Sequence, residues 1–235
     1  MSSEGRPPPA NSPGGPARAL RRRRQVVLAS GNHAKLLELQ RLLAPLAMEV
    51  VSQKELGVVP IVERGATFIE NALLKARNAS AQTRLPAIAD DSGLAVDALG
   101  FAPGIYSARF AGVGADDRAN NDKLLRALTQ VESGARGASF HCALAYLRSE
   151  SDPMPLIALG EWRGVIVTAP RGERGFGYDP LFYVEALAAT AAELDPETKN
   201  RESHRGRATR QLIKLLREAG ELALLSSFSQ FPSGN

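Results

Sequence analysis

The chain has 235 residues, 44% of them hydrophobic, enough for a sizeable core in one larger domain or two small ones. Its single cysteine excludes an intramolecular disulfide and a Cys-rich zinc site, and its three histidines are scattered without metal-ligand spacing. The net charge of +4 belongs to the start of the chain: residues 1–24 hold six arginines against one glutamate, a net of +5, which leaves the rest at −1.

Residues 1–24 are rich in Pro, Gly, Ser and Arg and offer too little apolar surface to offset ordering entropy, so a disordered leader is expected there. No apolar stretch follows its charges until residue 26, which is unlike a secretory signal, and no run approaches the roughly 20 residues of a membrane helix. A cytoplasmic protein without membrane contact is the expectation. One domain is expected over residues 25–222, with a loose tail over 223–235.

From residue 25 strand and helix patterns alternate. The short apolar run 25–30 predicts a strand that stops at the turn residues Gly31 and Asn32. A helix follows with Leu36, Leu39 and Leu43 on one face. Thr67 to Glu70 forms a capping-box pattern that opens a second helix, with Ile69, Leu73 and Ala76 turned inward. Residues 85–91 predict a buried strand ending in two acids, and 94–100 a further strand or turn. Asn120 to Leu128 predicts a helix. Residues 139–147 alternate Phe140, Cys142, Leu144 and Tyr146, as a strand with one buried face does. Residues 156–167 suggest a strand and a turn, Thr190 to Glu193 repeats the capping-box pattern, and 205–218 form a final amphipathic helix. Such alternation favours an α/β fold with a mixed sheet.

Four segments have residues suited to chemistry. Ser30, Gly31, Asn32, His33, Ala34 and Lys35 lie at a strand-to-helix turn, where free helix N–H groups and a lysine suit a phosphate. The P-loop pattern is absent, and an ordinary turn with a surface lysine is the alternative. Asp90 and Asp91, before Ser92 and Gly93, repel each other unless a cation or hydrogen bonds compensate; a Mg²⁺ site or a pair of turn acids both fit. Because neighbouring residues on a strand point to opposite faces, only one of the two acids should face a ligand. In the Gly-rich stretch 172–180, Phe176 could stack on a base while Gly177, Tyr178 and Asp179 read its edges; a plain Gly-Pro loop is the alternative. Lys199, with His204 and Arg205 at a helix start, forms either an anion or base-edge site or surface decoration. Glu38 and Glu70 fit solvent-facing and capping positions on helices. Glu63 could add a third carboxylate, although nothing local shows it. Cys142 has no nucleophile context and fits core packing.

Taken together, SGNHAKLLEL, GATFIENALLKAR, AIADDSGLAVDALGFAPGIYSARFAG, FHCALAYL, GFGYDPLFY and SHRGRA closely resemble the Ham1/RdgB family of inosine/xanthosine triphosphate pyrophosphatases, in family order over about residues 25–218. The resemblance implies an elongated, two-lobed mixed-sheet fold with a central cleft, usually a homodimer. It implies Mg²⁺-dependent hydrolysis of ITP, dITP and XTP to the monophosphate and pyrophosphate, which clears deaminated purines before they enter DNA or RNA. By motif, Ser30 to Lys35 would bind the triphosphate. Asp91 would accept the proton and ligate the metal, and Ser92 would touch substrate. Phe176 to Asp179 would hold the base, Lys199 the nucleotide, and His204 with Arg205 the purine edge. Glu63 is matched to the family's second metal position, although VVPIVERG departs from the commoner forms there. Asp90 is left a supporting role. Two rival readings are a Maf-like pyrophosphatase of modified pyrimidine nucleotides, against which SHRG and GFGYDP argue, and a nucleic-acid-binding protein using the Arg-rich leader. The core has no RNA-binding motif and no specific nucleic-acid partner is expected.

Overall fold

The computed structural model describes residues 24–44 and 48–222. The leader over residues 1–23 and the tail over 223–235 lie outside the described residues. Arg24, assigned above to the leader, instead opens the first strand, β1 (Arg24–Ala29). A turn leads into α1 (His33–Leu43), and β2 (Met48–Ser52) pairs parallel to β1. Helix α2 (Phe68–Thr83) starts at the expected Thr67–Glu70 capping box, with both reciprocal bonds formed. Strand β3 (Ala87–Val96) pairs parallel to β1 and antiparallel to β4 (Gly137–Leu147), which pairs antiparallel to β5 (Leu156–Ile166). Short strands β6 (Phe182–Val184) and β7 (Ala189–Thr190) complete, among the described residues, a seven-stranded mixed sheet in the order β2-β1-β3-β4-β5-β6-β7. Helix α3 (Asp117–Ala127) precedes β4, and α4 (Pro196–Glu202) and α5 (His204–Glu218) close the described chain.

Two hydrophobic bodies share the long strands. Near one end, Leu36, Leu39 and Leu43 of α1 and Leu212 and Leu216 of α5 pack on Val26, Leu28, Ile88, Leu144 and Tyr146. On the opposite face of the same region, Ala72, Ala76 and Ala79 of α2 lie against Val27, Ala29, Ala89, Ala143 and Ala145, small side chains that let helix and sheet approach closely. Toward the other end, Leu94, Val96, Phe140, Trp162 and Phe182 form a second body with Leu124 of α3. A strand of 11 residues spans roughly 35 Å, so β4 and β5 are long enough to serve both bodies.

Several local expectations are corrected. Strand β3 does not end at Asp91: it pairs with β4 residue for residue from Ala87↔Leu147 to Val96↔Ala138, so the ladder carries the backbone of both acids. Strand β4 is buried on both faces, because α2 covers the alanines that alternate with its larger side chains. Strand β5 runs through its glycines without a turn. A Cβ at Gly160 would lie 1.9 Å from the carbonyl oxygen of His204, so glycine there lets the first turn of α5 ride directly over the sheet. Helix α3 begins at Asp117, capped by Asp116, ahead of the expected Asn120. Thr190 to Glu193 caps no helix. The Glu193 carboxylate accepts from the Thr190 N–H at 2.7 Å and pairs with Arg171 at 2.8 Å, closing a turn, and the next helix starts at Pro196 with Asp195 as its cap. Helix α5 starts at His204 with Ser203 as its cap.

Candidate active site

The parallel pair β1 and β3 places the β1–α1 turn beside the paired acids. Asn32 caps α1, its Oδ1 accepting from the Lys35 N–H at 3.1 Å, and the Ser30 hydroxyl accepts from the Asn32 N–H at 3.3 Å. Gly31, Asn32 and His33 are exposed at the helix start, where unpaired N–H groups favour an anion. Lys35 reaches back from this turn to Asp90, with Nζ 2.7 Å from Oδ1.

Strand alternation separates the acids as expected, and the structure assigns each a different set of partners. The Asp90 carboxylate is fully buried and accepts from Lys35, from Ser92 Oγ at 3.0 Å, from Arg205 Nε at 3.1 Å and from the Cys142 thiol at 3.1 Å. Burial alone would raise its pKa; the charges of Lys35 and Arg205 outweigh it and hold the carboxyl well below the usual range. Arg205 is buried too, and three of its N–H groups go to protein acceptors: Asp90, Glu38 and, at 2.8 Å, Ser92 Oγ. Cys142, assigned above to core packing alone, also donates to Asp90, and burial beside that carboxylate raises its thiol pKa well above the ordinary value.

Asp91 belongs to a second cluster, on the α2 side of the sheet. Its Oδ1 accepts from Lys75 Nζ at 2.7 Å, and the same ammonium lies 2.9 Å from Glu63. Arg109 stands 3.7 Å from the other Glu63 oxygen. Burial raises the Asp91 carboxyl more than Lys75 lowers it, whereas Glu63, also buried in part, is held below its ordinary value by Lys75, Lys35 and Arg109. Asp91 Oδ2 is buried and has no hydrogen-bond partner. Mg²⁺ is commonly held by one or two carboxylates together with substrate phosphates and water. Asp91 and Glu63, with an unpartnered buried oxygen between strand and helix, fit that donor set. Among the described residues no group of three or more His, Cys, Asp or Glu could hold a metal without such help.

The base-side candidates converge from β5–β6, α4 and α5. A Cβ at Gly175, where φ is +79°, would fall 2.1 Å from Asp179 Oδ2, so this glycine lets the loop close on that carboxylate. Asp179 accepts from the Phe176 N–H at 2.8 Å and pairs with Lys199 at 2.6 Å. Burial raises the Asp179 carboxyl more than Lys199 lowers it. The Lys199 ammonium stands 5.0 Å and the Arg205 guanidinium 5.6 Å from the Phe176 ring centroid. Tyr178 is almost wholly buried and its hydroxyl donates to the Ser107 carbonyl at 2.8 Å, so it holds the loop rather than presenting a polar edge. His204 stacks on Phe140 with centroids 4.8 Å apart, and its Nδ1 is buried without a partner.

Burial and the Arg205 charge hold the His204 imidazole well below its ordinary pKa. The unfolded chain takes up a proton at this residue below about pH 6.5 and the folded chain resists doing so. The stability carried by neutral His204 is therefore fully present above that pH and is lost as pH falls toward the folded pKa, by up to about 1.4 kcal/mol per pH unit. Urea unfolding between about pH 7.5 and 5.5 should show a smaller loss in His204→Gln than in wild type. Equal slopes would remove His204 as a source of acid sensitivity.

One cleft collects ten of the sequence candidates: Asn32, Lys35, Ser92, Phe176 to Asp179, Lys199, His204 and Arg205. Ser30, Gly31, His33 and Ala34 lie outside its lining, around the helix start. Asp91 and Glu63 also lie outside it, in the Lys75 cluster; the Lys35 charge acts on Asp90, Asp91 and Glu63 alike and so connects the two parts. Sequence reasoning missed Lys75. The available signal was a lysine beside the alanine face of the second helix. It also left Glu38 facing solvent, whereas its carboxylate pairs with Arg205.

A model of the Ham1 family matches residues 26–215. The chain belongs to the Ham1 family. Among Ham1-related proteins, a dITP/XTP pyrophosphatase of Yersinia pseudotuberculosis is 58% identical over 195 residues, covering 83% of this chain and 99% of the relative. A solved Ham1 protein from Coxiella burnetii superposes with a TM-score of 0.78 at 51% identity, over 83% of this chain and 99% of that one. The Staphylococcus aureus Ham1 protein gives 0.74 at 37% identity, over 83% and 100%. The mixed sheet and its helices are thus those of the Ham1 family, as the sequence motifs implied.

Proposed function

We propose that this chain hydrolyses the non-standard purine triphosphates ITP, dITP and XTP to monophosphate and pyrophosphate, and so clears deaminated purines from the nucleotide pool. The observation that carries the reading is a single cleft lined by Asn32 and Lys35 from the start of α1 together with the Phe176 ring, Lys199, His204 and Arg205, so that groups suited to phosphate and groups suited to a base face one space. The relative from Yersinia pseudotuberculosis, named for dITP and XTP, supports the same substrate class and disfavours the pyrimidine alternative.

A nucleoside triphosphate brings about four negative charges, which Lys35 and the first N–H groups of α1 are placed to meet. Asp91 and Glu63 would hold Mg²⁺, which supplies positive charge against the phosphate oxygens. Lys75 holds Asp91 Oδ1 and leaves Oδ2 without a protein donor, so this carboxylate would serve both the cation and the attacking water, whose proton it would take. The water oxygen bonds to the α-phosphorus, the bond to the bridging oxygen breaks, and pyrophosphate leaves. At the base end, a 6-keto purine presents an acceptor where adenine presents an amino donor. Donors in the cleft wall, including the N–H groups that Arg205 does not spend on protein, favour the keto form. Ser92, bonded to Asp90 and Arg205, ties this wall through Asp90 to Lys35. The reading extends to a homodimer acting in the cytoplasm, supported by the family resemblance; no helix among the described residues is long and apolar enough to cross a membrane.

Pyrophosphate release from ITP, dITP, XTP, GTP, ATP and modified pyrimidine triphosphates tests this directly. The keto purines of deamination should turn over at least about 10²-fold faster than ATP at limiting substrate, and a chelator should abolish turnover. Comparable rates on ATP would overturn the substrate assignment, and full turnover in chelator would overturn the metal.

A further inference from the structure

Phe176 is flanked by Gly175 and Gly177, both at positive φ, so the backbone on either side has little conformational preference of its own. What places the ring is therefore the set of bonds the loop makes. One is internal, from the Phe176 N–H to Asp179. At Gly177 both backbone groups are taken by α3: its N–H donates to Asp117 Oδ2 at 2.6 Å, and its carbonyl accepts from Asn121 Nδ2 at 2.8 Å. Asn121 also donates to the Asp117 carbonyl at 2.9 Å, joining the two arms within one turn of helix. The helix is itself anchored. Leu124 is buried in the second hydrophobic body, and Asn120 accepts from the Ala111 N–H at 2.8 Å and donates to the Ala108 carbonyl at 3.4 Å.

We infer that Asp117 and Asn121 are positioning residues for base recognition: they clasp Gly177 from the second hydrophobic body and so hold the Phe176 ring at the position where a purine stacks. The inference rests on the proposed function for the identity of the ligand. It assigns to α3 a part in substrate selection that none of the sequence motifs placed there. The bonds of Asp117 and Asn121 go to Gly177 and to each other and none goes to Lys35, Asp91 or Lys75, so the clasp acts on binding far more than on the chemical step. Losing it lowers the fraction of molecules with the ring in place, and apparent affinity falls in proportion to that fraction.

In Asp117→Ala/Asn121→Ala the KM for ITP should rise about 10-fold with kcat changed less than about 3-fold. Asp117→Asn, which keeps an acceptor oxygen, should recover most of the loss. Introduced into Phe176→Ala, the same double substitution should add little, because the ring it positions is gone. A KM unchanged from wild type, or a loss fully additive with Phe176→Ala, overturns the inference. Hydrogen exchange at the Gly177 amide decides the clasp without any substrate: the double variant should exchange about 10-fold faster, and an unchanged rate overturns it. Wild-type protein inactive on ITP would count against the proposed function, while the exchange measurement would still decide the clasp.

Discussion

Asp91→Asn is expected to lower kcat about 10²- to 10⁴-fold while ITP still binds. The amide fills the same volume but cannot take a proton, so the attacking water loses its acceptor. Binding survives because Lys35, the α1 N–H groups and the Glu63 carboxylate are untouched and the amide keeps an oxygen for the cation; the charge lost from the Mg²⁺ site is also lost from beside a polyanion. Burial already raises the Asp91 carboxyl above its ordinary value, a direction that suits a base more than a passive ion-pair partner. Its Oδ2 has no competing donor in the structure. Single-turnover rates with equilibrium binding of ITP separate the two effects. Turnover within about ten-fold of wild type would remove Asp91 from the proton-accepting role.

Arg205→Ala should destabilise the fold by about 3–5 kcal/mol, because it strips a buried cation from two carboxylates. Asp90 is fully buried and Glu38 nearly so; in the variant Lys35 is the one cation left on Asp90, beside the Ser92 hydroxyl and the Cys142 thiol, and Glu38 loses its pairing with Arg205. Arg205→Lys should recover less than half, since one ammonium cannot serve Asp90, Glu38 and Ser92 in the fork geometry of a guanidinium. Urea denaturation gives the shift in midpoint. The motif-based role, a contact to the purine edge alone, predicts altered substrate preference with normal stability; that result would refute the anchoring role. The two predictions probe opposite faces of one strand, as the alternation of Asp90 and Asp91 requires.

Features encoded within a few residues were legible without a fold. The strand-to-turn-to-helix start at Ser30 to Lys35, the reciprocal Thr67–Glu70 box, the apolar stripe of Leu36, Leu39 and Leu43, and the glycines around Phe176 all follow from local periodicity, capping and permitted φ. The alternation rule also separated Asp90 from Asp91 correctly in direction. It could not say where either led, because their partners lie far along the chain.

Only the tertiary structure brought Arg205 to Asp90 across 115 positions and to Glu38 across 167, and set Lys75 between Asp91 and Glu63. Long-range contacts also account for the corrected elements. Strand β3 continues past its two acids because β4 satisfies its backbone, and Thr190 caps no helix because Glu193, the residue that would complete the box, closes a turn with Arg171. A cap or a stripe is selected by neighbours within one turn, whereas a buried charge depends on compensation from whichever element packs over it. The sequence by itself therefore determined the family, the long helices and strands in their order and most of the residues around the cleft, while the short strands β2, β6 and β7 carried no periodic signal of their own. Packing of α1, α2 and α5 on the shared strands decided which of those residues are anchored and which oxygen, Asp91 Oδ2, is left without a partner.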